Sequence, residues 1–313
     1  ANPVEIQGLF PKTVYENIYG TVVVINESTE SETLRNVEVT PYRLETSYSD
    51  RRHPDQVQFS KNIEDDLKRR DFTINAIAVS LSNSAIKDTI DLYGGFQDIK
   101  NKTIKTVGNP RDRFNEDALR MMRAIRLAVD LGFTIEENTF EAIKSLNTIL
   151  KDIAMERIRD ELVKIIMSPN PKIGLEWLKD AKLLFHVTPE LEKGIGVTQP
   201  QAHAYDVWEH LLRSLQCAAD KGFSLELRLA ALFHDISKPK TKGISHETQQ
   251  ITFYGHEVYG SRETRKILER MKFSREIIEK VSNLVRWHMF FSDTEQITLS
   301  AVRRMIVNVG KEN

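Results

Sequence analysis

The spacing of apolar residues changes along this 313-residue chain, and that change limits the folds open to it. Within residues 1–100, short β-branched runs such as TVVVI and VEVT alternate with turn signals, a pattern typical of a small sheet with a few helices. From Glu116 onward, helical patterns replace the strand signals, with breaks at residues 168–171, 194–196 and 237–239. The sequence therefore predicts an α+β chain whose sheet lies in its first third.

Composition narrows the class of protein. A single cysteine, Cys217, excludes an intramolecular disulfide framework. The sequence has no apolar run of membrane-spanning length and no signal-peptide start, so we expect a cytoplasmic protein without a membrane partner. The formal net charge is −1, so any RNA contact must come from local patches. Basic residues outnumber acidic ones eight to four over residues 100–130 and eight to five over residues 256–288. A solvated helix face explains the second patch equally well.

An acidic pair, Glu116 and Asp117, precedes three arginines that follow one another at intervals of three: Arg120, Arg123 and Arg126. In a helix, residues three apart are surface neighbours, so the sequence predicts that Asp117 and the arginines form one ridge. A carboxylate accepts from the exocyclic amine of a base, and guanidinium groups donate to ring acceptors and phosphates. A base reader is one interpretation of this ridge, and a solvated ion-paired helix face is the other.

A second motif, RRDFTINAIA, begins at Arg69 and leads from two arginines and an aspartate into an apolar run. Asp71 could cap a helix and would share a helix face with Asn75. Capping leaves the paired arginines and the asparagine unexplained. Glu38 lies upstream in the strand-like VEVTPYRLE, and a glycine turn, LYGGFQDI, follows at residues 92–99.

These motifs, in this order, resemble the class II tRNA nucleotidyltransferases of the polymerase-β superfamily, specifically the bacterial CCA-adding enzymes. RRDFTINAIA resembles the family's ribose-binding motif, GNPRDRFNEDALRMMRAIRLAVDLGF its templating helix, and ERIRDELVKIIMSPNP its neck helix. FPKTVYENIYGTVVV looks like the second strand of CCA-adding enzymes, since related poly(A) polymerases carry a basic sequence there. Residues 48–52 stand where the family has the flexible loop needed for A addition.

The resemblance implies a fold and a reaction. It implies a small mixed β-sheet nucleotidyltransferase head at residues 1–100, an all-helical neck at residues 101–195 and a helical HD domain at residues 196–313. The reaction would be template-independent addition or repair of the 3′-terminal CCA of tRNA, with CTP, ATP and Mg²⁺. Asp117 and Arg120 would pair with the edge of the incoming base. Arg123 and Arg126 would support them and reach toward phosphate. Ribose and triphosphate would be held by Arg70, Asp71 and Asn75, and Glu116 belongs to the same nucleotide-binding set.

One departure from the family stands out. Its Gly-Gly turn and Asp-x-Asp metal pair precede the sequence that opens this chain, so Glu38 is the remaining candidate for a catalytic carboxylate. Two-metal phosphoryl transfer needs several oxygen ligands. We therefore expect an N-terminally incomplete chain that by itself adds nucleotides poorly.

Histidines form the second constellation. The segment LRLAALFHDISKP contains the adjacent pair His234 and Asp235, and further histidines lie before and after it. This arrangement resembles the metal-binding motif of the HD phosphohydrolase superfamily. Imidazole and carboxylate together suit Mn, Ni, Fe or Mg²⁺ better than a structural thiolate zinc. The family's closing aspartate would be Asp293 or lie beyond residue 313. The candidate ligands are His210, His234, Asp235, His256 and His288.

Two other functions stay open at this point. A poly(A) polymerase of the same class would incorporate no CTP. A standalone HD metal phosphohydrolase would use the head only to bind nucleotide or RNA, and the HD helices could also be a structural body. The sequence leaves the oligomeric state open.

Overall fold

A computed structural model describes residues 2–15, 20–29, 31–45, 57–82, 85–200, 205–291 and 298–309. The loop at residues 48–52 and the candidate closing aspartate Asp293 lie outside these ranges. The chain divides into two compact units. The first comprises Ala1–Asn101 and Lys105–Asp117, and the second comprises Lys102–Ile104 and Ala118–Asn313.

The first unit combines short helices with small antiparallel sheets. Its helices are α1 (Pro3–Leu9), α2 (Glu32–Arg35), α3 (Ile63–Lys68), α4 (Gly95–Lys100) and α5 (Pro110–Glu116). Its strands are β1 (Thr13–Tyr15), β2 (Val22–Ile25), β3 (Asn36–Val39), β4 (Arg43–Glu45), β5 (Val57–Phe59), β6 (Ile77–Ser82) and β7 (Ala85–Asp91). The strands pair in the order β1-β2-β3, with β4-β5 and β6-β7 as separate antiparallel pairs.

The register of the three-stranded sheet places Glu38. On β2, Val22 and Val24 are buried, and Val23 between them is less so, as period-2 alternation requires. Glu38 on β3 lies opposite Val23 and is exposed. Directly opposed residues project to the same face of a sheet, so Glu38 lies on the face away from Val22 and Val24.

The second unit is almost entirely helical. Its first helices are α6 (Leu119–Leu131), α7 (Glu137–Leu146), α8 (Met155–Met167), α9 (Pro171–Asp180), α10 (Leu184–Val187) and α11 (Pro189–Glu192). They are followed by α12 (Val207–Asp220), α13 (Leu225–Phe233), α14 (Lys238–Thr241), α15 (His256–Arg270), α16 (Arg275–Trp287) and α17 (Leu299–Val309). A parallel pair joins β8 (Thr103–Ile104) to β9 (Thr134–Ile135), and an antiparallel pair joins β10 (Gly243–Ile244) to β11 (Ile251–Thr252).

The core of this unit begins where α6 packs on α8 and α9. Met121, Ile125 and Ala128 of α6 are buried at helical spacing, as an amphipathic helix requires. Gly174 lets α9 approach closely, because a Cβ there would lie 2.5 Å from Cγ2 of Ile165 on α8. The helices that carry the predicted base reader and the neck therefore form one packed body.

Arg228 of α13 ties the later helices to this body. The side chain is buried, and its guanidinium donates to the carbonyl oxygens of Phe223, Ile166 and Ser168 at 2.9, 2.9 and 3.1 Å. Burial lowers the pKa of the guanidinium. A buried arginine is stable only when its donors are paired, so these carbonyls fix α13 against the end of α8.

The α+β fold class predicted from the sequence is confirmed: a head of small sheets and short helices is followed by helical structure. Within the described ranges, the strand pairs of the first unit are antiparallel, and the parallel pair belongs to the second unit. The division at residues 100 and 195 stays a prediction. None of the described helices has the length and apolar character needed to cross a bilayer.

Candidate functional site

The motif that begins at Arg69 folds into one tight turn. Thr73–Asn75 form a 3-10 helix, and Oδ1 of Asp71 accepts from the backbone N–H of Phe72 at 2.9 Å and from Nδ2 of Asn75 at 3.3 Å. The backbone of Asp71 also accepts from Val107 N at 3.1 Å. Asp71 is buried and Asn75 is exposed. The structure thus brings together the two predicted ribose-binding side chains across a single turn, with the amide at the surface.

Asp66 holds both arginines of the motif. Its Oδ1 accepts from Nε and Nη2 of Arg69 at 3.0 and 2.6 Å, and its Oδ2 accepts from Nε and Nη2 of Arg70 at 3.3 and 2.9 Å. Burial alone would raise the pKa of the Asp66 carboxyl, but the hydrogen bonds from Arg70 and Arg69 outweigh it and lower that pKa. Sequence reasoning missed Asp66, although an acid three and four residues before two arginines was a readable signal.

The glycine turn packs directly on this motif. The carboxylate of Asp91 accepts from the N–H groups of Gly95 and Phe96 at 2.7 and 2.9 Å, so it caps the start of α4. From that helix, Oδ2 of Asp98 accepts from Oγ1 of Thr73 at 2.6 Å. A Cβ on Gly95 would lie 2.3 Å from the carbonyl oxygen of Thr73, so only glycine allows this approach. The turn that carries Asp71 and Asn75 is therefore rigidly supported.

The predicted ridge of four charged residues on one helix is wrong. Glu116 is the last residue of α5, where it accepts from Arg113 at 2.7 Å. Asp117 has φ −143° and ψ 106°, an extended conformation, and α6 begins only at Leu119. Because an extended residue interrupts the helix, Asp117 does not share a helix face with the arginines. Arg120, Arg123 and Arg126 do lie on α6, three residues apart.

Arg126 is held by carboxylates of the second unit. Its Nε donates to Oε2 of the buried Glu161 at 2.7 Å, and its Nη1 lies 3.4 Å from Oδ2 of Asp130. Burial raises the pKa of the Asp130 carboxyl, although Arg126 partly offsets this effect. Since Glu161 lies on α8, the guanidinium joins α6 to α8. The predicted contact of Arg126 with phosphate stays a prediction. The contacts of Arg126 that the structure shows hold in place the helix that carries Arg120 and Arg123.

The predicted metal ligands converge from four places in the second unit. His210 lies on α12, His234 directly follows α13, His256 is the first residue of α15 and His288 directly follows α16. The Nε2 atoms of His210 and His234 are 2.9 Å apart, and those of His256 and His288 are 3.3 Å apart. Residues separated by up to 78 positions along the chain thus meet at Asp235.

Backbone carbonyls orient three of these imidazoles. Each Nδ1 lies 2.7–2.9 Å from the carbonyl oxygen three residues earlier: His234 from Ala231, His256 from Phe253 and His288 from Val285. A ring nitrogen that donates to a carbonyl carries the proton, so in the neutral imidazole, the form that binds a metal, Nε2 keeps its lone pair. These contacts aim three Nε2 lone pairs into the cluster, the arrangement that metal-ligating histidines use.

Asp235 stands between two groups of ligands. Its Oδ2 lies 3.3 and 3.2 Å from Nε2 of His210 and His234, and its Oδ1 lies 3.3 and 3.6 Å from Nε2 of His256 and His288. The side chain is 3% exposed. Burial alone would raise the pKa of the Asp235 carboxyl, but contacts with the surrounding imidazoles hold it far below its usual range.

These distances fit a divalent cation. Ligand bonds of about 2.1 Å give ligand–ligand separations of roughly 3.0–3.4 Å in octahedral and tetrahedral sites. Within each group, all ligand atoms lie within 4.8 Å of one another. The buried Oδ1 of Asp235 has no hydrogen-bond partner in the part of the chain that the structure describes, as expected of an atom reserved for a cation. Glu38 belongs to neither of the two groups found among the described residues.

Lys238 is a member of this site that sequence reasoning missed. Its buried Nζ lies 2.7 Å from Oδ2 of Asp235 and donates to Oε1 of Gln199 at 2.7 Å. The signal was present in HDISKP, since residues three apart on a helical turn are neighbours. The ammonium compensates the charge of the buried carboxylate.

Comparison with protein families finds three successive matches along the chain. The poly A polymerase head domain matches residues 1–105. The family described as "Probable RNA and SrmB- binding site of polymerase A" matches residues 132–195, and the HD domain matches residues 207–307.

Two curated relatives illustrate the similarity to CCA-adding enzymes. The enzyme of Ligilactobacillus salivarius is 46% identical over 184 residues, which is 58% of this chain and 43% of that protein. The enzyme of Leuconostoc mesenteroides is 39% identical over 223 residues, 69% of this chain and 53% of that protein. The chain thus spans about half the length of the curated relatives it matches.

The structure of the Bacillus stearothermophilus CCA-adding enzyme in complex with CTP superimposes with a TM-score of 0.68 at 27% identity, over 99% of this chain and 65% of that one. Head, RNA-binding region and HD domain are all matched, and the fold extends over the whole chain. The chain therefore matches, in order, the poly(A) polymerase head, the RNA-binding region and the HD domain, and it is similar in sequence and fold to the bacterial CCA-adding enzymes.

Proposed function

We propose that this chain provides the nucleotide-binding head and the neck of an enzyme that adds or repairs the 3′-terminal CCA of tRNA from CTP and ATP. The observation that carries the proposal is the preformed turn in which Asp66 orients Arg70 while Asp71 orients Asn75. A guanidinium fixed by a buried carboxylate is ready to bind phosphate without losing further side-chain freedom. The exposed Asn75 amide is available to a ribose hydroxyl.

Selection of the base is the second part of the proposal. Cytosine and adenine each present an exocyclic amine beside a ring acceptor, which a carboxylate and a guanidinium can satisfy together. We assign these roles to Asp117 and Arg120, with Arg123 and Arg126 as support and Glu116 beside them. Guanine and uracil present an acceptor where the carboxylate must accept, so a buried charge would stay unpaired. The similarity to a relative crystallised with CTP supports this assignment.

Metal is needed for the transfer itself. Mg²⁺ would activate the attacking hydroxyl and neutralise the leaving pyrophosphate. Glu38 is the candidate carboxylate of this chain, because it stands exposed on the open face of the three-stranded sheet. The 3′ end of tRNA is the proposed partner, and the cytoplasm is the proposed compartment.

The test is nucleotide selection by the full-length protein. Asp117→Ala and Arg120→Ala should lose the preference for CTP and ATP over GTP and UTP on a tRNA that lacks CCA. Removing one partner of a desolvated charge pair costs about 2–5 kcal/mol. Matched controls are Asp112→Ala and Arg111→Ala, which remove exposed charges from α5. Unchanged selectivity in both test variants contradicts the templating roles, and incorporation of ATP without CTP identifies a poly(A) polymerase instead.

A second activity is supported by the cluster at Asp235. We propose that this site holds one or two divalent cations, with Mn, Ni, Fe or Mg²⁺ as candidates, and hydrolyses phosphate esters. A bound cation supplies Lewis acidity to a phosphoryl oxygen. His210, His234 and Asp235 form one ligand group, and Asp235 with His256 and His288 forms the other. Carbonyl hydrogen bonds hold the rings of His234, His256 and His288 in place.

Hydrolysis of a 2′,3′-cyclic nucleotide in the presence of each candidate metal tests this activity. His234→Ala should abolish it and leave CCA addition by the full-length protein intact. His246→Ala is the matched control, because His246 is an exposed histidine of the same domain and belongs to neither ligand group. If the wild type binds no metal and hydrolyses no substrate with any of them, the HD helices are a structural body.

A further inference from the structure

Three of the eight basic residues between positions 256 and 288 line one groove. Helices α15 and α16 pack side by side, and a groove of about 460 Å³ runs between them. Arg265 enters it from α15, and Lys280 and Arg286 enter it from α16. The sequence left two interpretations of this patch open. A solvated helix face pairs its charges along a single helix, whereas these three cations come from two helices and share one concave surface.

The acidic side chains near the groove do not cancel its charge. Glu279 also lines the groove, but it accepts from Nε of Arg275 at 2.7 Å, and this contact lowers the pKa of its carboxyl. Nη1 of Arg286 forms an ion pair with Oε1 of Glu257 at 3.6 Å, which offsets part of the charge of Arg286, but Glu257 does not line the groove. Among the described residues, the lining of the groove therefore keeps an excess of positive charge.

The floor of the groove is polar. Ser282 is buried there, and its Oγ has no hydrogen-bond partner among the described residues. Two guanidinium groups and one ammonium group form a set of donors that matches the oxygens of a phosphate. An apolar ligand would leave those donors unpaired, so the chemistry of the groove favours a phosphodiester.

The end of the helix that carries Arg265 contacts the part of the chain that matches the RNA-binding family. At the end of α15, Arg270 donates from Nη1 and Nη2 to Glu190 at 2.6 and 2.8 Å. Arg159 donates to the carbonyl oxygen of Lys272. Glu190 and Arg159 both lie within the matched residues 132–195. Arg265 stands five residues before Arg270, which is roughly 7.5 Å along a helix axis.

From these observations we propose that the α15–α16 groove is a docking surface for the phosphate backbone of RNA. Arg265, Lys280 and Arg286 contact phosphates that lie outside the 3′ end on which the head acts. The surface carries no base-reading requirement, so it contributes affinity and orientation rather than sequence selection. This docking proposal depends on the proposed function only because it takes tRNA as the natural ligand.

The test is binding of a tRNA transcript that lacks CCA, measured at several KCl concentrations. The doubly substituted chain, with Arg265→Glu and Lys280→Glu, should bind roughly ten-fold or more weakly than wild type. The slope of log affinity against log salt should fall by about 0.7–0.9 for each phosphate that the protein no longer neutralises. Both substituted side chains reach the surface, and circular dichroism with a thermal melt checks that folding is kept.

Arg213→Glu is the control for a general effect of charge. Arg213 is 51% exposed on α12 of the same domain, pairs with Glu209 and does not line the groove. The control should change affinity less than two-fold. Equal weakening by the groove variant and the control overturns the proposal, as does a groove variant with wild-type affinity and salt slope. In either of those cases CCA addition can still stand, whereas a wild-type protein that binds no tRNA contradicts both proposals.

Discussion

Replacing Asp235 should remove metal from the HD site altogether, whereas replacing a single histidine should remove only part of it. The reason is geometric: Oδ2 of Asp235 belongs with His210 and His234, and Oδ1 belongs with His256 and His288. If each group holds one ion, the shared carboxylate serves both. We expect about two ions per chain for wild type, about one for His210→Ala or His256→Ala, and none for Asp235→Asn.

The size of the effect follows from the ligand count. Removing a side chain that only orients a ligand already weakens metal binding 10- to 100-fold, and removing one ligand in three should reach about 100-fold. At free Mn²⁺ ten times the wild-type Kd, an intact site is about 91% filled and the weakened site about 9%. Filling one site raises the free energy of unfolding by about 1.4 kcal/mol, and filling two raises it by about 2.8 kcal/mol.

Metal analysis after equilibrium dialysis against Mn²⁺ measures the ion count, and thermal unfolding with and without Mn²⁺ measures the stabilisation. Asp235→Asn is preferred to alanine because it keeps the volume of a buried side chain beside Lys238. Lys240→Gln is a control, since its ammonium pairs with Glu263 outside the cluster. Complete metal loss in both histidine variants would refute the two-group reasoning in favour of one ion held by all five ligands. Retention of an ion by Asp235→Asn would refute the sharing of the carboxylate.

Three further changes test other contacts. Gly95→Ala should destabilise the first unit by about 1–3 kcal/mol and weaken CTP binding, because its Cβ meets the Thr73 carbonyl at 2.3 Å; urea unfolding and a CTP titration measure both effects. Asp66→Asn should weaken CTP binding roughly ten-fold by releasing Arg70. The pKa of Asp66 is lowered in the folded protein, so the ionised carboxylate contributes its full stabilisation above about pH 4. That contribution is lost as the pH falls through the folded pKa. The free energy of unfolding of Asp66→Asn should therefore fall less between neutral and acid pH than that of wild type. Arg228→Met should cost about 3 kcal/mol in urea unfolding, because buried carbonyl oxygens lose their donor.

The α+β fold class and the residues that meet in the Asp71 turn and around Asp235 could be predicted from the sequence alone. Local chemistry made this feasible: RRDFTIN contains both members of the Asp71–Asn75 contact within five residues, and HDISKP contains Asp235 with a neighbouring histidine. The change from β-branched runs to helical spacing likewise depends only on near neighbours along the chain. Contacts between residues that are close in the sequence can therefore be predicted without knowledge of the tertiary structure.

The tertiary structure decided what depends on backbone conformation or on distant contacts. Helical propensity placed Asp117 on the helix with Arg120, but the backbone of Asp117 is extended and α6 begins only at Leu119. Arg126 meets the buried Glu161, 35 residues away, and no spacing rule predicts that pair. The division of Asp235 between two histidine pairs needs helices that are distant in sequence to pack together, because the two oxygens of one carboxylate take partners only from the elements that surround it.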